Sequence, residues 1–169
     1  DQGFAYDSAQ ASFELLARRY LGQLPRYFEI DRYRVSVERR DDPQAGAVTV
    51  SEAVVVVHVD GERMISASES VDPVTHEDQG PVNALARALR KDLGRYQSYI
   101  DDLHLVDFKV RIIGAGTEAV TRVLIDSADA KGNTWSTVGV SPNIVDASFQ
   151  ALEDAVVTKL IMAGAPAAR

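Results

Sequence analysis

The second half of this chain repeats the first, and no other feature narrows its fold as much. Tyr33-Arg34-Val35-Ser36-Val37 returns as Phe108-Lys109-Val110-Arg111-Ile112, in the order aromatic, basic, valine, polar, aliphatic, at an offset of 75 (108 minus 33). Asn83-Ala84 and Ala88-Leu89 return as Asp146-Ala147 and Ala151-Leu152 at an offset of 63 (146 minus 83), so the first half carries the longer turns. Matches in corresponding elements mark one supersecondary unit used twice.

The unit itself is legible from periodicity. Alternation over Tyr27–Arg39, with Phe28, Ile30, Tyr33, Val35 and Val37, predicts a strand that Asp41-Asp42-Pro43-Gln44-Ala45-Gly46 closes as a turn. Val48–Asp60 predicts a second strand, and Asp60-Gly61 a tight hairpin into a third over Arg63–Val71. After a loop over Asp72–Gln79, Pro81 opens a helix in which Val82, Leu85, Leu89, Leu93 and Tyr96 recur every three or four residues. Leu105–Ile113, Ala119–Ser127 and Thr134–Val140 then read as strands, Lys131-Gly132-Asn133 as a turn, and Pro142–Met162 as a helix. A βββα unit has an apolar sheet face and an apolar helix stripe, so an α+β fold of two such units packed together is expected. Val54-Val55-Val56-Val57 is apolar at consecutive positions. That strand is expected to be buried on both faces, which predicts a homodimer.

Ahead of the repeats, Ala9, Phe13, Leu16, Ala17 and Tyr20 predict an amphipathic helix over Asp7–Leu21, with Asp7 or Ser8 as N-cap and Gly22 as stop. It either packs on the main body or ends a linker to a part of the polypeptide not present here. The expected division is residues 1–24 as this helical segment and 25–169 as the main domain, with repeat one over 27–97 and repeat two over 103–163. A chain that opens on Asp1 reads as a piece of a longer polypeptide.

Charge and composition remove several function classes. A net charge of −7 and a pI near 4.9 disfavour a binder of nucleic-acid phosphates. The longest strongly apolar run, Ala53–Val57, is far short of the roughly 20 residues that span a bilayer. No signal segment opens the chain, so a cytoplasmic location is expected. His58, His76 and His104 share no element at ligand spacing, so neither a metal nor another cofactor is expected. No nucleophile elbow, phosphate loop or dinucleotide fingerprint occurs, and Gly114-Ala115-Gly116 lies between two strands as a turn. No catalytic residue is assigned. The informative segment is Glu77-Asp78-Gln79-Gly80-Pro81-Val82-Asn83. Its helix start offers free N–H groups to a small anion, and Asp78 could balance an ammonium group, so the ends of a free amino acid fit. The alternative is that these groups simply cap the helix.

Asp78-Gln79-Gly80-Pro81-Val82-Asn83-Ala84-Leu85, Leu105-Val106-Asp107-Phe108-Lys109-Val110-Arg111-Ile112, Gly116-Thr117 and Val138-Gly139-Val140-Ser141-Pro142-Asn143-Ile144, in that order, resemble the C-terminal regulatory domain of the 2-isopropylmalate and citramalate synthases. The strand and the helix start look more like the citramalate enzymes. The resemblance runs from about Tyr33 to the last helix, and it implies a dimeric domain that binds the end-product amino acid, isoleucine ahead of leucine. It further implies a separate TIM-barrel catalytic part that condenses acetyl-CoA with a 2-oxo acid. The effector positions it implies are Asp78, Gln79, Gly80, Pro81, Val82, Asn83, Leu105, Phe108, Ile112, Ala119 and Ile144. Phe108, Val110 and Ile112 share one face of a period-2 strand and can wall an apolar slot for a branched side chain. The family often has glycine where Asp78 stands and an acid where Gln79 stands. That departure favours a second reading, a dimerisation module without a working effector site.

Overall fold

A computed structural model describes residues 9–44, 46–73, 80–114, 116 and 119–169. The chain divides into two compact units, one of residues 28–97 with Arg169, the other of residues 98–168 with the segment before Phe28. Each contains a three-stranded antiparallel sheet followed by a helix.

In the first unit β1 (Glu29–Asp42), β2 (Gly46–Val59) and β3 (Glu62–Pro73) form a meander, and α2 (Gly80–Lys91) covers one face. Asp60 and Gly61 take φ of 51° and 80° between the paired Val59 and Glu62, the backbone that a two-residue hairpin turn of this hand requires. The β1–β2 connection is tighter than the sequence suggests. Asp42 still pairs with Gly46, so Asp41 and Asp42 belong to the strand. The face covered by α2 carries Val55, Val57, Val59 and Met64, and the 3-10 turn after α2 (Gly94–Tyr96) rests on Met64 and Val59.

The single helix expected from Pro81 to Tyr96 is in fact three pieces, α2, the 3-10 turn and α3 (Gln97–Ile100). Local hydrogen bonds divert the chain. Asp92 Oδ1 accepts from the Gly94 N–H at 3.0 Å, and the Gln97 side chain bonds both the Leu93 N–H and the Arg90 carbonyl. Leu93 and Tyr96 stay fully buried, so their apolar spacing served the core without continuing the helix.

In the second unit β4 (His104–Ile113), β5 (Val120–Ala128) and β6 (Thr134–Ser141) form the same meander, and the unbroken α4 (Ile144–Met162) covers it. Asn143 caps α4 by accepting from the Val145 N–H at 2.8 Å. Trp135 Nε1 donates to Ala155 O, Thr137 Oγ1 donates to Ala151 O, and a Cβ on Gly139 would stand 1.8 Å from Ala147 O. Successive inward residues of β6 thus touch successive turns of α4, and at Gly139 the helix backbone comes so close that only hydrogen fits.

The repeat extends to irregularities that periodicity cannot show. β1 has a bulge between Ile30 and Arg32, and β4 has one between Leu105 and Asp107, again 75 residues on. Each bulge returns two residues three apart to the same face, Ile30 with Tyr33 and Leu105 with Phe108.

α1 (Gln10–Tyr20) belongs to the second unit and lies against β6 and α4. Its buried residues are Ala11, Ser12 and Leu15, whereas Phe13, Leu16 and Tyr20, expected on the packed stripe, are exposed. Ser12 hydrogen-bonds β6 and α4 and lies on the same side as Leu15, so this side faces inward and Phe13, Leu16 and Tyr20 point outward. The proposed caps Asp7 and Ser8 lie outside the described residues.

Val55, Val56 and Val57 are buried and Val54 half-buried within one chain. This strand therefore no longer carries the case for a dimer. The apolar surface left open is elsewhere, at Ile65 and Val71 on β3, Val37 on β1, and Val110 and Ile112 on β4.

Candidate functional site

The sequence-predicted effector residues fall into two sets, one in each unit. Asp78 and Gln79 lie outside the described residues. Gly80 is the first residue of α2 and is buried; Val82, one helical turn before Leu85 and Ala86, is buried as well. Pro81 and Asn83 are half-buried beside them. No acidic side chain occupies the first turn of α2, so nothing carried by the helix itself opposes an anion at its positive end.

The second set lies on and around the face of the sheet that α4 covers. Cross-strand pairs place Phe108 opposite Ile125, Val110 opposite Val123 and Ile112 opposite Thr121, and the bulge brings Leu105, opposite Ser127, onto the same face. Ile125 and Val123 are fully buried beneath α4. β4, as the outer strand, extends beyond the helix, and exposure rises along it: Phe108 is half-buried, Val110 is 38% exposed and Ile112 is 75% exposed. Ala119 sits just before β5, with its N–H donating to Gly116 O at 3.3 Å. Ile144, half-exposed, opens α4 just after the row where β6 ends. Leu105 and Ile112 stand at opposite ends of this face. Seven residues at roughly 3.3 Å each separate them by about 20 Å, more than a single amino acid spans.

On the sheet's other face β4 carries charged residues, Asp107, Lys109 and Arg111. Lys109 pairs with Asp107 at 2.8 Å, Asp107 Oδ1 accepts from the Phe108 N–H, and Ser136 Oγ donates to Asp126. The Lys109 hydrogen bond, with a second from the Phe108 N–H, holds the Asp107 carboxyl below the usual carboxylate range, and Asp107 in turn raises Lys109. This tether at the bulge anchors the backbone of Phe108. Periodicity did not reveal it, because an acid two residues before a lysine is common on any exposed strand.

A cavity of about 670 Å³ lies in a different place. Leu15, Trp135, Ser136, Thr158, Ile161 and Met162 are among its walls, and none of the sequence-predicted effector residues lines it. Beside α4's last turns, the buried Lys159 ammonium bonds Asp129 at 2.7 Å and Asp102 at 3.0 Å. Burial works against that charge, but its hydrogen bonds to the two carboxylates outweigh the penalty and raise the Lys159 pKa. Asn133 and Lys159 hold Asp129 far below the ordinary carboxylate range. Every charge in this cluster is paired and the turn Asp129–Asn133 is built on it, so it is scaffold. Among the described residues no group of His, Cys, Asp and Glu could hold a metal ion, and no helix is long and apolar enough to cross a membrane.

Comparison with known proteins bears on the family of the chain. The chain is similar to the (R)-citramalate synthases of Aquifex aeolicus (44% identical over 95% of this chain), Geobacter sulfurreducens (43% over 95%) and Streptomyces coelicolor (43% over 98%). It spans only 28%, 28% and 29% of those proteins, respectively. The family defined as the LeuA allosteric (dimerisation) domain matches residues 7–160, which include α1, both sheets and α4 up to its last turn. The chain belongs to the LeuA allosteric (dimerisation) domain family.

Proposed function

We propose that this domain is the effector-binding part of a citramalate or 2-isopropylmalate synthase and that it binds a branched-chain amino acid, isoleucine ahead of leucine. The observation that carries the reading is the row Phe108, Val110 and Ile112, an apolar face that α4 leaves progressively open. A branched hydrocarbon side chain is the ligand feature such a row can recognise, and each methylene buried there is worth roughly 0.8 kcal/mol. The amino-acid ends are assigned to the segment leading into α2, Asp78 through Asn83, where helix N–H groups suit a carboxylate. The parent polypeptide supplies the acyltransferase chemistry, acetyl-CoA condensing with a 2-oxo acid on a separate TIM barrel. This domain acts on that barrel as a homodimer in the cytoplasm by feedback inhibition. Its effect is a coupling free energy between two sites.

Calorimetry with isoleucine, leucine and alanine tests the reading. Phe108→Ala is expected to weaken isoleucine by about 1 to 2 kcal/mol relative to alanine, since the lost surface meets the hydrocarbon branch. Equal losses for both ligands would make Phe108 a scaffold residue. The second reading, a dimerisation module alone, is favoured by Asp78 and Gln79 where the family often differs. It predicts a dimer in sedimentation with no heat from isoleucine or leucine at millimolar concentration.

A further inference from the structure

α1 meets the sheet at a point with unusual chemistry. β6 is an edge strand, and its outward N–H at the buried Val138 is met by the Ser12 side chain of α1. The Val138 N–H donates to Ser12 Oγ at 2.9 Å, and the Ser12 hydroxyl donates to Asp154 Oδ2 of α4 at 2.7 Å. One hydroxyl thereby ties α1 to both a strand edge and a helix flank. We propose that Ser12, held between the Val138 amide and the Asp154 carboxyl, is a proton-sensitive latch that sets how firmly α1 stays docked.

The charged surroundings of Asp154 are few. α1 contributes Arg19, α4 contributes the neighbouring Glu153, and β6 carries no titratable side chain. Arg122 and Asp126 of β5 lie on the sheet face away from α4. Burial raises Asp154 to about 6, against the downward pull of Ser12 and Arg19. Burial likewise raises Glu153, with Asp154 adding to the effect. Once α1 leaves, Asp154 faces water and returns toward the ordinary value near 3.9. The docked state thus binds the proton more tightly. Docking is strongest at low pH, weakens as pH rises from about 4 to 6, and is level above that. An 11-residue helix is marginal in isolation, so α1 unfolds when it leaves and its amides report docking.

The test is hydrogen exchange on α1 in the 169-residue chain, with protection corrected for intrinsic rate, between pH 4.5 and 7.5. Wild type is expected to lose on the order of 30-fold in α1 protection across that range. Asp154→Asn should be flat with pH, Glu153→Gln should keep the wild-type dependence, and Ser12→Ala should lower protection at every pH. Trp135, the sole tryptophan, lines the cavity with Gln10, Ala11, Glu14 and Leu15 of α1 and gives a second readout. Its emission should shift to the red in step with the loss of protection, including in any variant too unstable for exchange. A flat wild-type profile, a pH dependence that survives Asp154→Asn, or unchanged protection in Ser12→Ala would each overturn the latch.

Discussion

The two βββα units share strand order, register and even the position of the bulge, yet they solve the problem of the exposed sheet edge differently. In the second unit α1 lies along β6 and Ser12 takes the free Val138 N–H. In the first unit the covering helix does the work itself. Arg87 and Lys91, one turn apart on α2, donate to Glu69 O and Ala67 O, two residues apart on β3. The helices differ to match. α4 runs unbroken for 19 residues pressed onto Gly139, whereas α2 stops after 12 and stands over serines. A repeat conserves which face is buried, because that is set by period-2 and period-3.6 patterns; it leaves the edges free to diverge, because an edge needs only some donor or acceptor.

The largest expected effect breaks the closest contact. Gly139→Ala would put a carbon 1.8 Å from Ala147 O, and α4 cannot retreat without lifting Thr137 and Trp135 from their backbone partners. A loss of about 3 kcal/mol or more is expected in denaturant unfolding. Cross-strand pairing makes Ser68 the equivalent position in the first unit: it stands opposite Ala53 and Val35, as Gly139 stands opposite Val123 and Val110. Ser68→Ala should change stability by under about 0.5 kcal/mol. Equal costs at the two positions would mean that the helices sit at the same height.

Next comes the buried ion cluster of the second unit. Lys159→Met strands the buried Asp129 carboxylate and should cost about 3 kcal/mol at neutral pH. Asp129 and Asp102 both titrate below their ordinary values in the folded state. Their contribution is therefore present above about pH 4 and lost as pH falls below it. Thermal unfolding from pH 7 to 3 should show wild type losing stability below pH 4, with Lys159→Met losing less.

How far such contrasts are legible in sequence depends on the kind of interaction. Alternation in β1 and β4, the β-branched run of β2, the Asp60-Gly61 turn and the apolar spacing of α2 were readable because each is a local pattern. The bulges were not, because an added residue looks like ordinary strand until its partner is known. The burial of Ser12, Ala11 and Leu15 in place of Phe13 and Leu16 was hidden for a similar reason. A helix stripe shows where apolar residues lie, and here the side that meets β6 and α4 is fixed by the hydrogen bonds of Ser12, a polar residue that no apolar stripe includes. Within the candidate site, the shared face of Phe108 and Ile112 followed from period 2, but Leu105 joined them only through the bulge.

The edge difference can itself be sharpened. Arg87→Ala with Lys91→Ala removes both donors to the β3 edge, and since both are exposed the expected cost is about 1 kcal/mol for the pair. The clearer signature is association. An uncovered edge between the exposed Ile65 and Val71 should raise the self-association of the double variant in light scattering, with no such change for Ser12→Ala if α1 stays over β6.

The smallest effect expected is at the hairpin turn, where the units again differ: two residues in the first, the Asp129-centred loop in the second. Asp60 holds a positive φ, pairs with Arg95 at 3.2 Å and accepts the Arg169 N–H at 2.7 Å. Asp60→Asn keeps a side chain that tolerates the left-handed region and still accepts from Arg169, so only the charge pair is lost. With both partners partly exposed, that pair is worth no more than about 1 kcal/mol and is screened by salt. Wild type and Asp60→Asn should therefore converge in denaturant midpoint as sodium chloride rises toward 1 M. A gap that persists at high salt would show that the aspartate's backbone geometry, rather than its charge, holds this turn.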